Sequence, residues 1–126
     1  MTTAALFGIS LASLFAAIAQ VESESGKTSR NVYQLTRRYV DDVNRISTPE
    51  AFLYEDRLDR AKAERMMCIY LEYYGRRHQI QTGMQTTAEV LARIHNGGPD
   101  GWRRPSTLNY WKKVKAAMDA AKGAEQ

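Results

Sequence analysis

Glu22 is the residue of this sequence best suited to carry a proton for chemistry. At about 100° per residue, Leu11, Phe15 and Ile18 fall within roughly 40° of Glu22 on a helix, whereas Glu24 points the other way with Ser13, Ala17 and Gln20. A carboxyl among aliphatic and aromatic neighbours has its charged form disfavoured, so its pKa is expected to rise and the group to stay protonated near neutral pH. That is the state a general acid needs. The competing reading is a helix-end glutamate bonded to a core hydroxyl.

A second carboxylate is harder to locate. Asp41 and Asp42 are candidates, but Arg37, Arg38 and Arg45 lie three or four positions away on the same helix, where ordinary surface pairing accounts for both acids. His78 and His95 are far apart in sequence and suggest no metal cluster, and no cofactor is expected. The lone Cys68 lies in the apolar run Met66-Met67-Cys68-Ile69-Tyr70 and reads as a buried small hydrophobe; no intramolecular disulfide is possible.

These groups need a scaffold, and the stretch Leu91 to Val114 organises it. Helix propagation fails at Asn96-Gly97-Gly98-Pro99, because the glycines tolerate positive φ and proline cannot extend a helix. Ser106 or Thr107 is placed to cap a following helix carrying Leu108, Trp111 and Met118 at helical spacing. Asn96, the backbone amides of the turn, Trp102 and Tyr110 are thereby gathered as one wall of a cleft. Upstream, the uncharged run Ala4 to Val21 reads as a buried first helix rather than a membrane span or signal peptide, since it lacks a basic flank and is diluted by Gly8, Ser10 and Ser13. Lys27 to Val32 reads as a polar loop. A helical stripe runs from Tyr33 to Ile46, and Ser47 or Thr48 with Pro49 and Glu50 suggests a short helix. Asp59 is placed to cap a longer helix that carries Tyr70, Tyr73 and Tyr74 on one side and ends at Gly83; Thr86 to Glu89 fits a capping box. No alternating strand pattern persists. The expected architecture is all-α, one domain over residues 1–126, with six or so helices.

With 126 residues, 44% of them apolar and 25% charged, the composition is that of an ordinary globular domain. A net charge of +4 suits polyanionic surfaces: cell wall, nucleic acid or anionic lipid.

The motifs narrow this. RIHNGGPDG followed by TLNYWKKV is similar to the late motif of lysozyme-superfamily muramidases and lytic transglycosylases, in which an aromatic-Asn-x-Gly-Pro-Gly turn precedes a helix opening with Thr-x-x-Tyr. Those families begin with a helix ending in Glu-Ser, then a loop, then Gly-Leu-x-Gln-Leu. The corresponding blocks here are Glu22-Ser23-Glu24-Ser25-Gly26 and Val32-Tyr33-Gln34-Leu35. Only six residues separate Gly26 from Tyr33, so the resemblance implies a lysozyme-like helical domain with a shortened or absent β-hairpin.

The resemblance further implies cleavage of the β-1,4 MurNAc-GlcNAc bond of peptidoglycan with Glu22 as general acid/base. Gln34 and Tyr33 would lie at the sugar, and the Tyr110 hydroxyl near the Glu22 carboxyl. Asn96 and the Gly97 and Gly98 amides would bind an N-acetyl group or sugar hydroxyl, and Trp102 would stack on a sugar face. Each has a plainer alternative: core polar groups for Gln34 and Tyr110, a helix stop for Asn96 to Pro99, core cover for Trp102. Asn31, Thr36 and Asp42 are candidates for a second polar group. With one carboxyl alone, a lytic transglycosylase route is open, the muramyl 6-hydroxyl serving as nucleophile. The setting implied is a phage endolysin or virion-associated enzyme acting as a monomer on the bacterial wall rather than a classically secreted one. The absence of an intramolecular disulfide sets the chain apart from disulfide-rich animal lysozymes and leaves the compartment open. The basic C-terminal segment, with Arg103, Arg104, Lys112, Lys113, Lys115 and Lys122, could dock on anionic wall polymer or lipid. The rivals are a non-catalytic glycan-binding or assembly protein and a basic nucleic-acid binder, although nucleic acid is not the partner expected.

Overall fold

The computed structural model describes residues 4–24 and 30–124, apart from the side chain of Glu24. The expected orientation of Glu24 and the first half of the polar loop (residues 27–29), with Ser25 and Gly26, lie outside those residues.

The uncharged N-terminal run does not form one helix. It opens as a two-residue hairpin, β1 (Ala5–Leu6) against β2 (Ile9–Ser10), paired antiparallel with Ala5 opposite Ser10 and Leu6 opposite Ile9. Phe7 and Gly8 at the tip have φ of 53° and 78°, a left-handed pair that a tight hairpin requires and a helix forbids. The Phe7 ring is wedged against Gly75, where a Cβ would stand 2.6 Å from Cε2 of that ring. Only then does α1 (Leu11–Glu24) begin, burying Leu11, Leu14, Phe15, Ile18 and Val21 in one stripe that ends on Glu22.

α2 (Arg37–Ile46) starts later than the stripe from Tyr33 predicts. The Asn31 side chain accepts from the Leu35 amide (3.0 Å) and donates to its carbonyl (2.9 Å), and Gln34 holds φ at 55°, so the chain turns before Thr36 caps the helix by accepting from the Tyr39 amide (3.1 Å). No helix starts at Pro49. The Asn44 amide group holds Phe52 instead, accepting from its N–H (2.7 Å) and donating to its carbonyl (2.9 Å), and a 3-10 turn forms only at Tyr54–Leu58. Thr48–Pro49 is a cis peptide.

α3 (Arg60–Thr82) is capped by Asp59, as its sequence predicts, and ends on left-handed Gly83 at φ 69°. Met66, Met67 and Leu71 are fully buried, and Tyr70 and Tyr74 are buried on the same side. Tyr73, expected with them, is 44% exposed on the outer side. α4 (Ala88–Gly97) is capped by Thr87, not Thr86: the Thr86 hydroxyl donates to the Gly75 carbonyl (2.8 Å), and Glu89 pairs with Arg93 (2.8 Å) rather than closing a capping box.

The corner between α4 and α5 (Leu108–Ala124) is held by a buried arginine. Arg93 Nε donates to the Thr107 hydroxyl (2.8 Å), Nη2 to the Arg104 carbonyl (2.9 Å) and Nη1 to Glu89. Thr107 in turn donates to the Gly101 carbonyl (2.7 Å), so its hydroxyl is spent inside the corner and does not cap α5. Ser106 is no cap either: it lies within the 3-10 turn Pro105–Thr107 that leads into α5. α1 packs along α5, and the buried apolar residues form one core cluster that includes the lone Cys68. Among the described residues no helix is long and apolar enough to cross a membrane.

Gly101 lies directly against α4: a Cβ there would stand 2.1 Å from the Arg93 carbonyl oxygen, a backbone atom with nowhere to go. Gly101→Ala is therefore expected to destabilise by at least about 2 kcal/mol. Gly123→Ala, in open space on α5, is expected to be neutral or stabilising by up to about 1 kcal/mol. Urea unfolding of the two variants checks the contrast, and equal stabilities would contradict it.

Candidate functional site

A cleft of roughly 740 Å³ opens between the end of α1, α2, the tyrosines of α3 and the glycine corner. Glu22 reaches it from α1; Gln34 and Thr36 come from the turn before α2; Arg38, Tyr39, Asp41, Asp42 and Arg45 come from α2 itself. Tyr70 and Tyr74 line it from α3, and His95 to Pro99 with Arg104 close it from the corner.

Glu22 is 8% exposed, at the end of the apolar stripe of α1. One carboxylate oxygen accepts from the Tyr110 hydroxyl at 3.2 Å. Burial, and then the neighbouring Glu22 charge, push the Tyr110 phenol well above its ordinary pKa, so it remains a donor to that carboxyl. Asp42 sits in a different setting. Its Oδ1 accepts from Arg45 Nε (3.0 Å) and Nη2 (2.6 Å), and its Oδ2 from the Tyr74 hydroxyl. Burial and the Asp42 contact push Tyr74 up to about 12. The ion pairing foreseen for Asp42 on α2 is thus present, yet it faces the cleft.

The floor between the two acids is aromatic and polar at once. Tyr39 stacks on Tyr70 with centroids 3.8 Å apart and meets His95 edge-on. His95 Nε2 lies 3.0 Å from the Tyr33 carbonyl, which can only accept, so Nε2 carries the proton and Nδ1 accepts from the Tyr39 hydroxyl at 3.2 Å. Burial lowers the His95 pKa to about 4, and the ring is neutral at physiological pH.

The cleft thus brings Glu22, Gln34, Thr36, Asp42, Asn96, Gly97 and Gly98 together, with Tyr110 behind Glu22. Other candidates stand elsewhere. Tyr33 is fully buried with its hydroxyl on Glu64 (2.5 Å), out of reach of a sugar. Asn31 braces the turn before α2, and its neighbour Gln34 donates to the Asn31 carbonyl (2.8 Å). Trp102 packs edge-on against His78, outside the cleft lining, with Arg103 over its ring. The Gly98 amide is occupied as the α4 cap, donating to the Ile94 carbonyl (2.8 Å), so it cannot serve an N-acetyl group. Sequence reasoning missed Arg38, Tyr39, Tyr74, His95 and Arg104 as cleft residues. The four-residue spacing of Tyr70 and Tyr74, and the adjacency of His95 to Asn96, were the available signals.

No family model matches the chain. It is 33% identical over 96 residues to invertebrate-type lysozyme 3 of Caenorhabditis elegans, a match covering 72% of this chain and 68% of that protein. The chain belongs to the invertebrate-type lysozymes. It is also 54% identical over 41 residues to a lysozyme of Magallana gigas and 41% identical over 56 residues to lysozyme 1 of Crassostrea virginica. Those matches cover 32% and 44% of this chain, and the chain spans only 30% and 28% of the two oyster proteins. With a single cysteine, the chain remains distinct from disulfide-rich animal lysozymes. Cys68 is free and buried in this family member, whose described core is closed by apolar packing. A phage setting finds no support among these relatives.

His95 gives the chain a pH signature in stability. Its folded pKa of about 4 lies below the ordinary 6.5, so the unfolded chain binds the extra proton. The stabilisation is complete above pH 6.5, is lost as pH falls toward 4, and amounts to about 3 kcal/mol. Urea midpoints between pH 7 and 4 should fall accordingly, and the fall should shrink in His95→Gln; an unchanged slope in that variant would show the proton to be taken up elsewhere.

Proposed function

We propose that this chain is a muramidase that hydrolyses the β-1,4 bond between N-acetylmuramic acid and N-acetylglucosamine in peptidoglycan, with Glu22 as general acid. The observation that carries the reading is the Glu22 carboxyl: buried at the end of an apolar stripe, hydrogen-bonded by Tyr110, and lining a cleft large enough for sugar rings. A leaving glycosidic oxygen needs a proton, and a carboxyl at this place in the cleft can supply it. Membership of the invertebrate-type lysozymes supports the same chemistry.

Asp42 is the second carboxylate in this proposal. Ion-paired to Arg45 and held by Tyr74, it is kept in one orientation on the wall of the same cleft, where a fixed negative charge can stabilise an oxocarbenium-like centre or orient water. Gln34 and Asn96 supply polar contacts to the sugar, and Thr36 lines the same wall. Tyr110 positions Glu22 and keeps its carboxyl from turning into solvent.

Glu22→Gln preserves shape and removes the proton, so clearing of purified wall is expected to slow by at least about a hundredfold with the fold intact by circular dichroism. Clearing that survives the substitution would remove Glu22 from this role. Asp42→Asn is expected to lower kcat more than it changes KM. Mass spectrometry of the released fragments should find reducing ends; 1,6-anhydro ends would assign a lytic transglycosylase in which Glu22 acts alone.

A further inference from the structure

Two cations of the cleft have no carboxylate partner among the described residues. Among the described residues, Arg45, Arg60, Arg65, Arg76, Arg77, Arg93 and Arg103 are each paired with a carboxylate. Arg37 and Arg57 stack on the Tyr54 ring, at 4.2 and 3.6 Å from its centroid. Besides Arg30, that leaves Arg38 and Arg104, and both line the cleft that holds Glu22.

Their placement works against stability. Arg38 is the second residue of α2, where the positive end of the helix dipole disfavours a cation, and the first turn of α2 has no acidic residue to offset it. Arg104 stands on the opposite, corner side. Its backbone carbonyl is fixed by Arg93, and its Cδ lies against the Gly97 position, within 3.8 Å of where a Cβ would be, so its aliphatic stem is laid along the cleft rim. Asp41 lines the same cleft but pairs with neither arginine. Two guanidiniums lining one cleft from α2 and from the corner, each without a carboxylate partner among the described residues, can serve as a receptor for an anion.

We infer that Arg38 and Arg104 form an anion subsite that takes a carboxylate of the peptide branch carried by the muramic acid residue of the glycan. The inference rests on the proposed muramidase reading and adds what that reading lacks: a device for telling a charged, peptide-bearing glycan from a neutral homopolymer of N-acetylglucosamine. A forked guanidinium matches a carboxylate in two parallel hydrogen bonds. A wall phosphodiester offers the same anionic chemistry, and the experiment separates the two sources.

The test compares three soluble substrates: a muropeptide chain with free stem carboxylates, the same chain with those carboxylates amidated, and a chitooligosaccharide. For the parent, amidation is expected to lower kcat/KM about tenfold. Arg38→Gln and Arg104→Gln should each raise KM for the free-carboxylate chain about tenfold, and should lower the efficiency ratio of that chain over chitooligosaccharide by a similar factor. The lysine variants should recover part of the loss, and the double variant should lose less than the product of the single losses, because one anion is shared. Equal losses on all three substrates, or no loss, would overturn the subsite. A charge effect appearing only on wall that retains phosphodiester polymer would overturn the carboxylate assignment.

If the parent cleaves none of the substrates, the muramidase reading fails while the subsite is still read by calorimetry with the muropeptide. Binding weakened by both glutamine variants and by amidation supports it, and binding indifferent to all three overturns it.

Discussion

The cleft depends on one buried, neutral imidazole. His95 donates to the Tyr33 carbonyl and accepts from the Tyr39 hydroxyl, so one ring ties α4 to the turn before α2 and to α2 itself. Those are the two walls that face each other across the cleft. An apolar side chain at that position would fill the space and leave the carbonyl and the phenol without partners, each an expensive group to bury unsatisfied. The ring also seats Tyr39 on Tyr70, and through that stack it connects the corner to α3. A single hydrogen-bonded side chain thus joins three elements that line the cleft.

Around that pin the two acids sit in different surroundings. Glu22 ends a stripe of aliphatic and aromatic side chains and receives one phenolic hydroxyl; Asp42 is gripped by a guanidinium and a phenol. The two carboxyls of the cleft thus have unlike surroundings, one at the end of an apolar stripe and the other in an ion pair. The tyrosines are common to both. Burial keeps Tyr74 and Tyr110 protonated, so each is a dependable donor and neither competes as a proton source.

Much of this was readable from residue order, and the failures are local. The helical phase of Glu22, the Asp59 cap, the Gly83 stop and the break at Asn96 to Pro99 follow from spacing and backbone preference, and each is present. The errors arose where a side chain found a partner distant in sequence. Asn44 captured Phe52 and abolished the helix expected at Pro49, Arg93 took the Thr107 hydroxyl that was to cap α5, and Glu64 drew Tyr33 into the interior. The hairpin at Phe7-Gly8 was hidden for another reason: its apolar residues satisfy a helix pattern as readily as a strand, and only the left-handed φ at the tip distinguishes the two.

The glycine corner shows why a motif can name a family yet mislead about contacts. Its sequence suggests bare amides offered to a ligand, but the Gly98 amide closes α4, the Gly101 amide bonds back to the Gly98 carbonyl, and Gly101 is pressed onto Arg93 with no room for a Cβ. The glycines serve compaction. By letting the chain fold tightly back on α4, they bring Arg104 over the cleft and start α5 where Tyr110 can reach Glu22. What the corner presents to the cleft beyond its backbone is therefore the side chains of Asn96 and Arg104, and its backbone is the frame that aims them.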